Sequence, residues 1–179
     1  MHILLIFLIV LAALIALLLI VAFFAKEEYS IERGIVLARS RQEVFNYIKL
    51  LRNQDKYNKW VMMDPAAKKE YRGTDGLPGF VATWDSENKN VGKGEQEIKK
   101  ISEGERIDLE IRFEKPFKGT SFAYMTTQPV GQDQARLTWV FMGMRNFPMR
   151  IFHILFNLKK MLGKDMETSL SNLKSVLEK

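Results

Sequence analysis

The chain has 179 residues, with 27 lysines and arginines against 21 aspartates and glutamates, which gives a net charge of +6. It contains no cysteine, and this excludes a disulfide framework, thiolate metal ligands and a cysteine nucleophile. The basic residues are dispersed and are not interleaved with aromatic residues in a recognisable nucleic-acid-binding module, so no nucleic-acid partner is expected.

The first feature along the chain is an apolar run of 23 residues, Ile3 to Ala25, without a charge, a proline or a glycine. As a helix it would extend about 34 Å, enough to cross a hydrocarbon core of about 30 Å. A cleaved signal peptide would need a basic start, a shorter apolar stretch and a small residue at the position of Phe24. We therefore predict a transmembrane anchor over residues 1–25 that tethers one domain, residues 26–179.

Flanking charge predicts the orientation of this anchor. Lys26, Arg33, Arg39 and Arg41 follow the apolar run, whereas only the amino terminus and His2 precede it. Basic residues beside a span are retained on the cytoplasmic side. The expected topology is a single-pass membrane protein with its amino terminus outside and its domain in the cytoplasm. The dispersed basic excess is interpreted first as a solvated surface, and an anionic membrane surface close to the anchor is the best alternative partner.

The domain is predicted to begin with a strand and a capped helix. Residues 29–38 alternate between apolar and polar side chains well enough for a strand. The apolar members are Ile31, Ile35 and Leu37. Ser40 and Glu43 have the spacing of a capping box, so a helix is expected to start at Ser40. Residues 53–60 are polar and are interpreted as a short second helix or a turn.

Residues 68–144 have a period of mostly two, with breaks at turn residues. This pattern predicts about six consecutive antiparallel strands. Apolar and charged side chains alternate strictly over residues 107–114, so that strand is expected to expose one face to water. By the same reasoning Tyr124 is expected on an inward face of its strand.

A long amphipathic helix closes the sequence. Pro148 suits the first turn of a helix, and apolar residues then recur at spacings of three and four from Ile151 to Leu177. The predicted order of strand, helix, strands and long helix indicates an α+β helix-grip fold, in which a curved antiparallel sheet wraps around the final helix. A cavity forms in such a fold where the facing side chains of sheet and helix do not meet.

Seven short segments of the chain occur in the order found in a known superfamily. They are Trp60–Pro65, Trp84, Val91–Gly94, Lys115–Phe117, Thr138–Trp139, Leu158–Asp165 and Leu170–Lys174. With these segments the chain resembles the START-like, Bet v 1-like superfamily, also called SRPBCC, and in particular its membrane-tethered polyketide cyclase/dehydrase-like members. The resemblance implies a helix-grip domain with a hydrophobic ligand cavity. It implies no reaction, because members range from lipid carriers to cyclases.

The residue inventory limits the chemistry that the domain could perform. His153 is the only histidine after the apolar run, so neither a metal site nor a serine triad is expected, and no cofactor is predicted. Glycines within 73–79 and 92–94 match no phosphate-binding motif and indicate turns and close backbone contacts. Acid–base catalysis by Asp64 or Tyr124 is an alternative, but no catalytic residue is assigned.

Large apolar side chains on the strands and on the final helix are expected to face one another, and the resemblance implies that they line a ligand cavity. The predicted lining is Trp84, Phe113, Tyr124, Trp139, Phe141, Phe152, Phe156 and Met161. We therefore expect a membrane-tethered domain that binds a lipid or another hydrophobic small molecule. Two alternatives stay open, namely a cyclase or dehydratase with carboxylate or tyrosine acid–base chemistry, and a ligandless protein-interaction domain at the membrane.

Overall fold

The computed structural model describes residues 2–24, 28–144 and 157–179. Helix α1, His2–Phe24, precedes a seven-stranded sheet and its helices. The later elements are β1 Glu28–Leu37, α2 Arg41–Ile48, a 3₁₀ helix Leu51–Lys56, α3 Lys59–Met62, β2 Lys68–Arg72, β3 Val81–Asp85, β4 Lys93–Ser102, β5 Arg106–Lys115, β6 Gly119–Gly131, β7 Gln134–Met144 and α4 Leu158–Leu177. This order confirms the predicted α+β helix-grip fold, including the six consecutive strands.

Helix α1 is long and apolar enough to span a membrane. Its segment Ile3–Val21, 19 residues long, has a mean hydropathy of 3.6, and none of it is buried in the structure. The hydrophobic core is built from later residues, from Ile31 onward. Helix α1 therefore contributes no residue to that core.

The sheet is antiparallel throughout, in the order β1-β7-β6-β5-β4-β3-β2. Residues directly opposite each other on neighbouring strands share one face of the sheet. One such row crosses five strands and consists of Ile31, Phe141, Ala123, Leu109 and Ile98. All but Phe141 are buried, and Phe141 packs against the core, so this row marks the concave inner face.

Helix α4 lies on the inner face and runs alongside β1 in the same direction. Its predicted apolar stripe buries Met166, Leu170 and Leu173. Three polar contacts join the two elements in order: Arg33 Nε to Glu167 Oε1 at 2.5 Å, Lys174 Nζ to the Val36 carbonyl at 3.1 Å, and the Ala38 N–H to Glu178 Oε1 at 2.6 Å. The beginning of α4 therefore lies at the end of the sheet where β1 begins. The predicted helix start at Pro148 lies outside the described residues.

The inward orientation predicted for Tyr124 is wrong. In β6 the buried residues are Ser121, Ala123, Met125 and Thr127. Tyr124 lies on the outer face, where the Arg106 guanidinium covers its ring at 3.8 Å from the ring centroid. Both faces of β6 carry apolar side chains, so the sequence of β6 alone does not show which face is buried. The register decides instead, because Tyr124 pairs with Asp108, which belongs to the water-exposed face of β5.

The outer face of the sheet is a network of opposite charges. Arg112 lies 2.7 Å from Glu95 and 2.8 Å from Glu97, and it also contacts Glu110. The hydrogen bond from Arg112 lowers the pKa of the Glu97 carboxyl below its usual value. Strict alternation in β5 predicted this wet face correctly.

The capping box at the start of α2 is confirmed. Ser40 Oγ accepts a hydrogen bond from the Glu43 N–H at 3.3 Å, and the Ser40 N–H donates to Glu43 Oε2 at 3.0 Å. The hydrogen bonds from Ser40 lower the pKa of the Glu43 carboxyl. The cap fixes the start of a helix that buries Val44, Phe45 and Ile48 against the sheet.

The substitution Ser40→Ala removes this cap and should lower the free energy of unfolding by about 1 kcal/mol. Urea denaturation of residues 26–179 measures the change. Ser171→Ala, an exposed position within α4, is the matched control and should change the value by less than about 0.5 kcal/mol. Equal effects of the two substitutions would contradict a role for the cap.

The contribution of the Glu43 carboxylate to the cap should depend on pH. Because the pKa of Glu43 is lower in the folded state, its contribution is present above the unfolded pKa and is lost as the pH falls through the folded pKa. The stability difference between the wild type and Glu43→Gln should therefore shrink as the pH is lowered through this window. If the stability difference between the two proteins did not change with pH, the proposed link between Glu43 ionisation and stability would be refuted.

Candidate functional site

A cavity of about 320 Å³ lies between the inner face of the sheet, α3 and the first turns of α4. This volume is at the lower end of the range of about 300–1,000 Å³ for ligand pockets. Aromatic rings dominate its described walls, and these are Trp60, Tyr71, Trp84, Phe113, Trp139 and Phe141. The cavity is thus a predominantly apolar space of a size suited to a small molecule.

Two edge-to-face aromatic pairs form much of the wall. Trp84 and Phe113 have ring centroids 6.0 Å apart and planes at 74°, and Trp60 and Trp139 have centroids 6.0 Å apart and planes at 86°. Edge-to-face contact suits the positive edge and negative face of aromatic rings. The rings therefore support one another around the open space.

The structure brings four of the predicted lining residues to the cavity, namely Trp84, Phe113, Trp139 and Phe141. On α4 the lining residue is Leu162, whereas its predicted neighbour Met161 is 52% exposed. The apolar stripe of α4 includes Leu162, and one residue along a helix turns the side chain by about 100° away from it. Met161 was thus assigned to the wrong side of the stripe.

The remaining predicted positions do not enter the described cavity wall. Tyr124 is on the outer face of the sheet, and Phe152, His153 and Phe156 lie outside the described residues. Asp64 accepts hydrogen bonds from Ser86 Oγ and from the Ala66 N–H, so it stabilises the turn before β2. The described cavity wall contains neither of the acid–base candidates, Asp64 and Tyr124.

Glycines of the segment Val91–Gly94 allow Trp84 to lie close to the sheet. A Cβ at Gly94 would stand 2.5 Å from the Arg112 carbonyl oxygen and 2.7 Å from Trp84 Cζ2. The indole N–H of Trp84 donates to the Val91 carbonyl at 3.3 Å. Gly92 has a positive φ of 65° and lies against the Lys115 backbone, where a Cβ would collide. These are the close backbone contacts that the sequence predicted.

The polar groups of the cavity wall are few. Asp55 and Lys69 form an ion pair at 2.8 Å, and Lys115 is exposed at another part of the rim. Among the described residues no group of three or more histidine, cysteine, aspartate or glutamate side chains is placed to hold a metal ion. The wall therefore offers positions for hydrogen bonding but identifies no general acid or base.

Trp139 carries the polar atom that sequence reasoning missed. Within the described residues, two buried side-chain polar atoms have no hydrogen-bond partner, Tyr57 Oη and Trp139 Nε1. Tyr57 lies outside the described cavity wall, whereas Trp139 is 4% exposed and lines the cavity. A buried indole N–H normally has an acceptor. Its missing partner could not be found from the sequence, because it depends on what surrounds the ring.

The fold and the cavity define a helix-grip domain, and solved structures of low sequence identity share this fold. Protein CV1439 from Chromobacterium violaceum is 17% identical, with 84% of this chain and 97% of that chain covered and a TM-score of 0.57. The Aha1 dimer from Colwellia psychrerythraea is 12% identical, with 84% and 96% covered and a TM-score of 0.57. Ara h 8.0201 is 13% identical, with 82% and 98% covered and a TM-score of 0.52.

At these identities the similarities show the shared fold alone. No protein-family model matches the sequence, and no curated protein matches it. Fold similarity alone does not define a function.

The substitution Gly94→Ala should displace Trp84 and strain the β4–β5 pairing, lowering the free energy of unfolding by about 1–3 kcal/mol. The indole N–H resonance of Trp84 should shift in the ¹H–¹⁵N spectrum. Gly119→Ala is the matched control, because a Cβ there meets no atom within 4 Å. An unchanged Trp84 resonance in Gly94→Ala would show that the close approach is not required.

Proposed function

We propose that the domain binds a small, mostly apolar molecule that carries a hydrogen-bond acceptor, and that a membrane anchor holds the domain where such molecules dissolve. In this proposal residues 1–25 are the anchor and residues 26–179 are the binding domain. The observation that carries the proposal is a mostly apolar cavity in which one wall residue, Trp139, has a buried N–H without a partner.

The cavity wall accounts for the apolar part of the ligand. Apolar surface that leaves water gains about 25 cal/mol per Å². The aromatic rings offer such surface. The charged residues Asp55 and Lys69 of the wall neutralise each other in an ion pair. A ligandless interaction domain would be expected to fill this space with side chains, so the cavity favours a ligand.

Trp139 accounts for the polar part of the ligand. A carbonyl, ester or hydroxyl oxygen could accept its N–H, whereas a pure hydrocarbon would leave the donor buried and unpaired. An unsatisfied buried donor costs about 1–3 kcal/mol. Because about 1.4 kcal/mol corresponds to tenfold in affinity, the site should prefer acceptor-bearing ligands by about an order of magnitude.

The apolar helix α1 supports the membrane part of the proposal. It is long enough to span a bilayer, and small, mostly apolar molecules concentrate in bilayers. A domain held at the surface would need to move its ligand only a short distance. The proposed topology is the single-pass arrangement inferred from flanking charge, with the domain in the cytoplasm.

The substitution Trp139→Phe keeps an aromatic ring but removes the donor. With residues 26–179 in lipid-free buffer, calorimetry should show about tenfold weaker binding of 2-acetonaphthone and nearly unchanged binding of naphthalene, which has no acceptor. Trp84→Phe is the control, since the Trp84 N–H already donates to Val91 and its loss should not discriminate between the two probes. Failure of the wild type to bind either probe would refute the proposed function.

A further inference from the structure

One end of each strand, with the loops that follow it, lies at the end of the domain where α1 is attached. The start of β1 pairs with the end of β7, and the start of β4 pairs with the end of β5. The start of β6 lies beside the end of β7. We call this region the tether end, and it comprises the loop 86–92, residues 115–118 and the first turn of α4, 157–161.

Covalent geometry keeps the tether end close to α1. Three residues separate Phe24 from Glu28, so the two are at most about 14 Å apart. Strand β1 then leads away for about 30 Å to Leu37. If α1 spans a bilayer, the tether end is the part of the domain held at its surface, and the opposite end of the sheet is the remote one.

Exposed apolar side chains at the tether end are surrounded by lysines. Phe117 is 64% exposed between Lys115 and Lys118, and Met161 is 52% exposed directly after Lys159 and Lys160. With Lys89 the three segments contain five lysines and a single acidic residue, Glu87. Within the described chain none of these five lysines forms an ion pair, whereas Lys93 beside them pairs with Glu114 at 3.0 Å.

The opposite end of the sheet has a different charge pattern. There Lys49 pairs with Glu103 at 2.7 Å, and Arg41 lies 3.9 Å from Glu105. These two cations have carboxylates nearby, whereas Lys100 and Lys179 at the same end form no ion pair within the described residues. At the tether end, unpaired lysines flank exposed apolar side chains beside the attachment of α1, and such a combination suits the interface of an anionic bilayer.

The cavity opens in the same region. Asn90, Lys115 and Pro116 both line the cavity and are exposed, so they form part of its rim. We propose that the tether end docks on an anionic bilayer, with Phe117 and Met161 at the level of the headgroups, so that the cavity rim faces the lipid. Docking would give an apolar ligand a path from bilayer to cavity without crossing water. This last step rests on the proposed ligand binding, whereas docking rests only on the proposed anchor.

The absence of cysteine allows a direct test with the full chain reconstituted in vesicles. Phe117→Cys and Leu77→Cys each introduce one site for an environment-sensitive fluorophore, and Leu77, 54% exposed in the β2–β3 loop, is the control at the opposite end. With brominated lipids in phosphatidylserine-containing vesicles, the label at position 117 should be quenched several-fold more than the label at position 77. Equal quenching at the two positions would overturn the proposal.

Charge reversal tests which partner covers the tether end. Lys89→Glu combined with Lys118→Glu should reduce quenching at position 117 several-fold, whereas Lys100→Glu combined with Lys179→Glu, the same change in charge at the opposite end, should not. Energy transfer between labels at position 117 of two chains, without quenching by lipid, would assign the surface to a second copy and overturn docking on lipid. Because this readout needs no ligand, docking and the Trp139 binding experiment fail independently.

Discussion

The pairing of the first strand with the last strand is the constraint on which the rest of the structure depends. Ten residues of β1 pair with β7 in one continuous register, from Glu28 with Met144 to Leu37 with Ala135. This pairing brings the two ends of the domain together, so that α4 returns alongside β1. The Arg33–Glu167 ion pair and the buried stripe of α4 then hold the helix against the inner face.

The cavity forms over strands β2 to β5, on which α4 does not pack closely. Helix α4 packs most closely on β1, whereas the inner surface of β2 to β5 is faced by the 3₁₀ helix, α3 and aromatic side chains. Trp84 lies close against Gly94, and Trp60 contacts Trp139 edge to face. The proposed ligand would contact these rings and accept the N–H of Trp139, a buried polar group of the described wall that has no partner.

The proposed function and the proposed docking concern the same region of the domain, the tether end. The same strand register that forms the sheet places the cavity rim, the unpaired lysines and the attachment of α1 at one end of the molecule. An apolar molecule leaving a bilayer would meet the cavity before it met bulk water. Chain connectivity thus gives the orientation of the domain a physical basis, without any contact between α1 and the core.

The sequence by itself determined the features that depend on neighbours along the chain. The Ser40–Glu43 cap, the wet face of β5 and the α4 stripe follow from spacings within single elements, and all three are present. Tertiary structure decided the rest. The face on which Tyr124 lies depends on the register with β5, and the partnerless N–H of Trp139 depends on side chains distant in sequence. Local periodicity contains no information on strand register, and register decides which loops, lysines and rings come together.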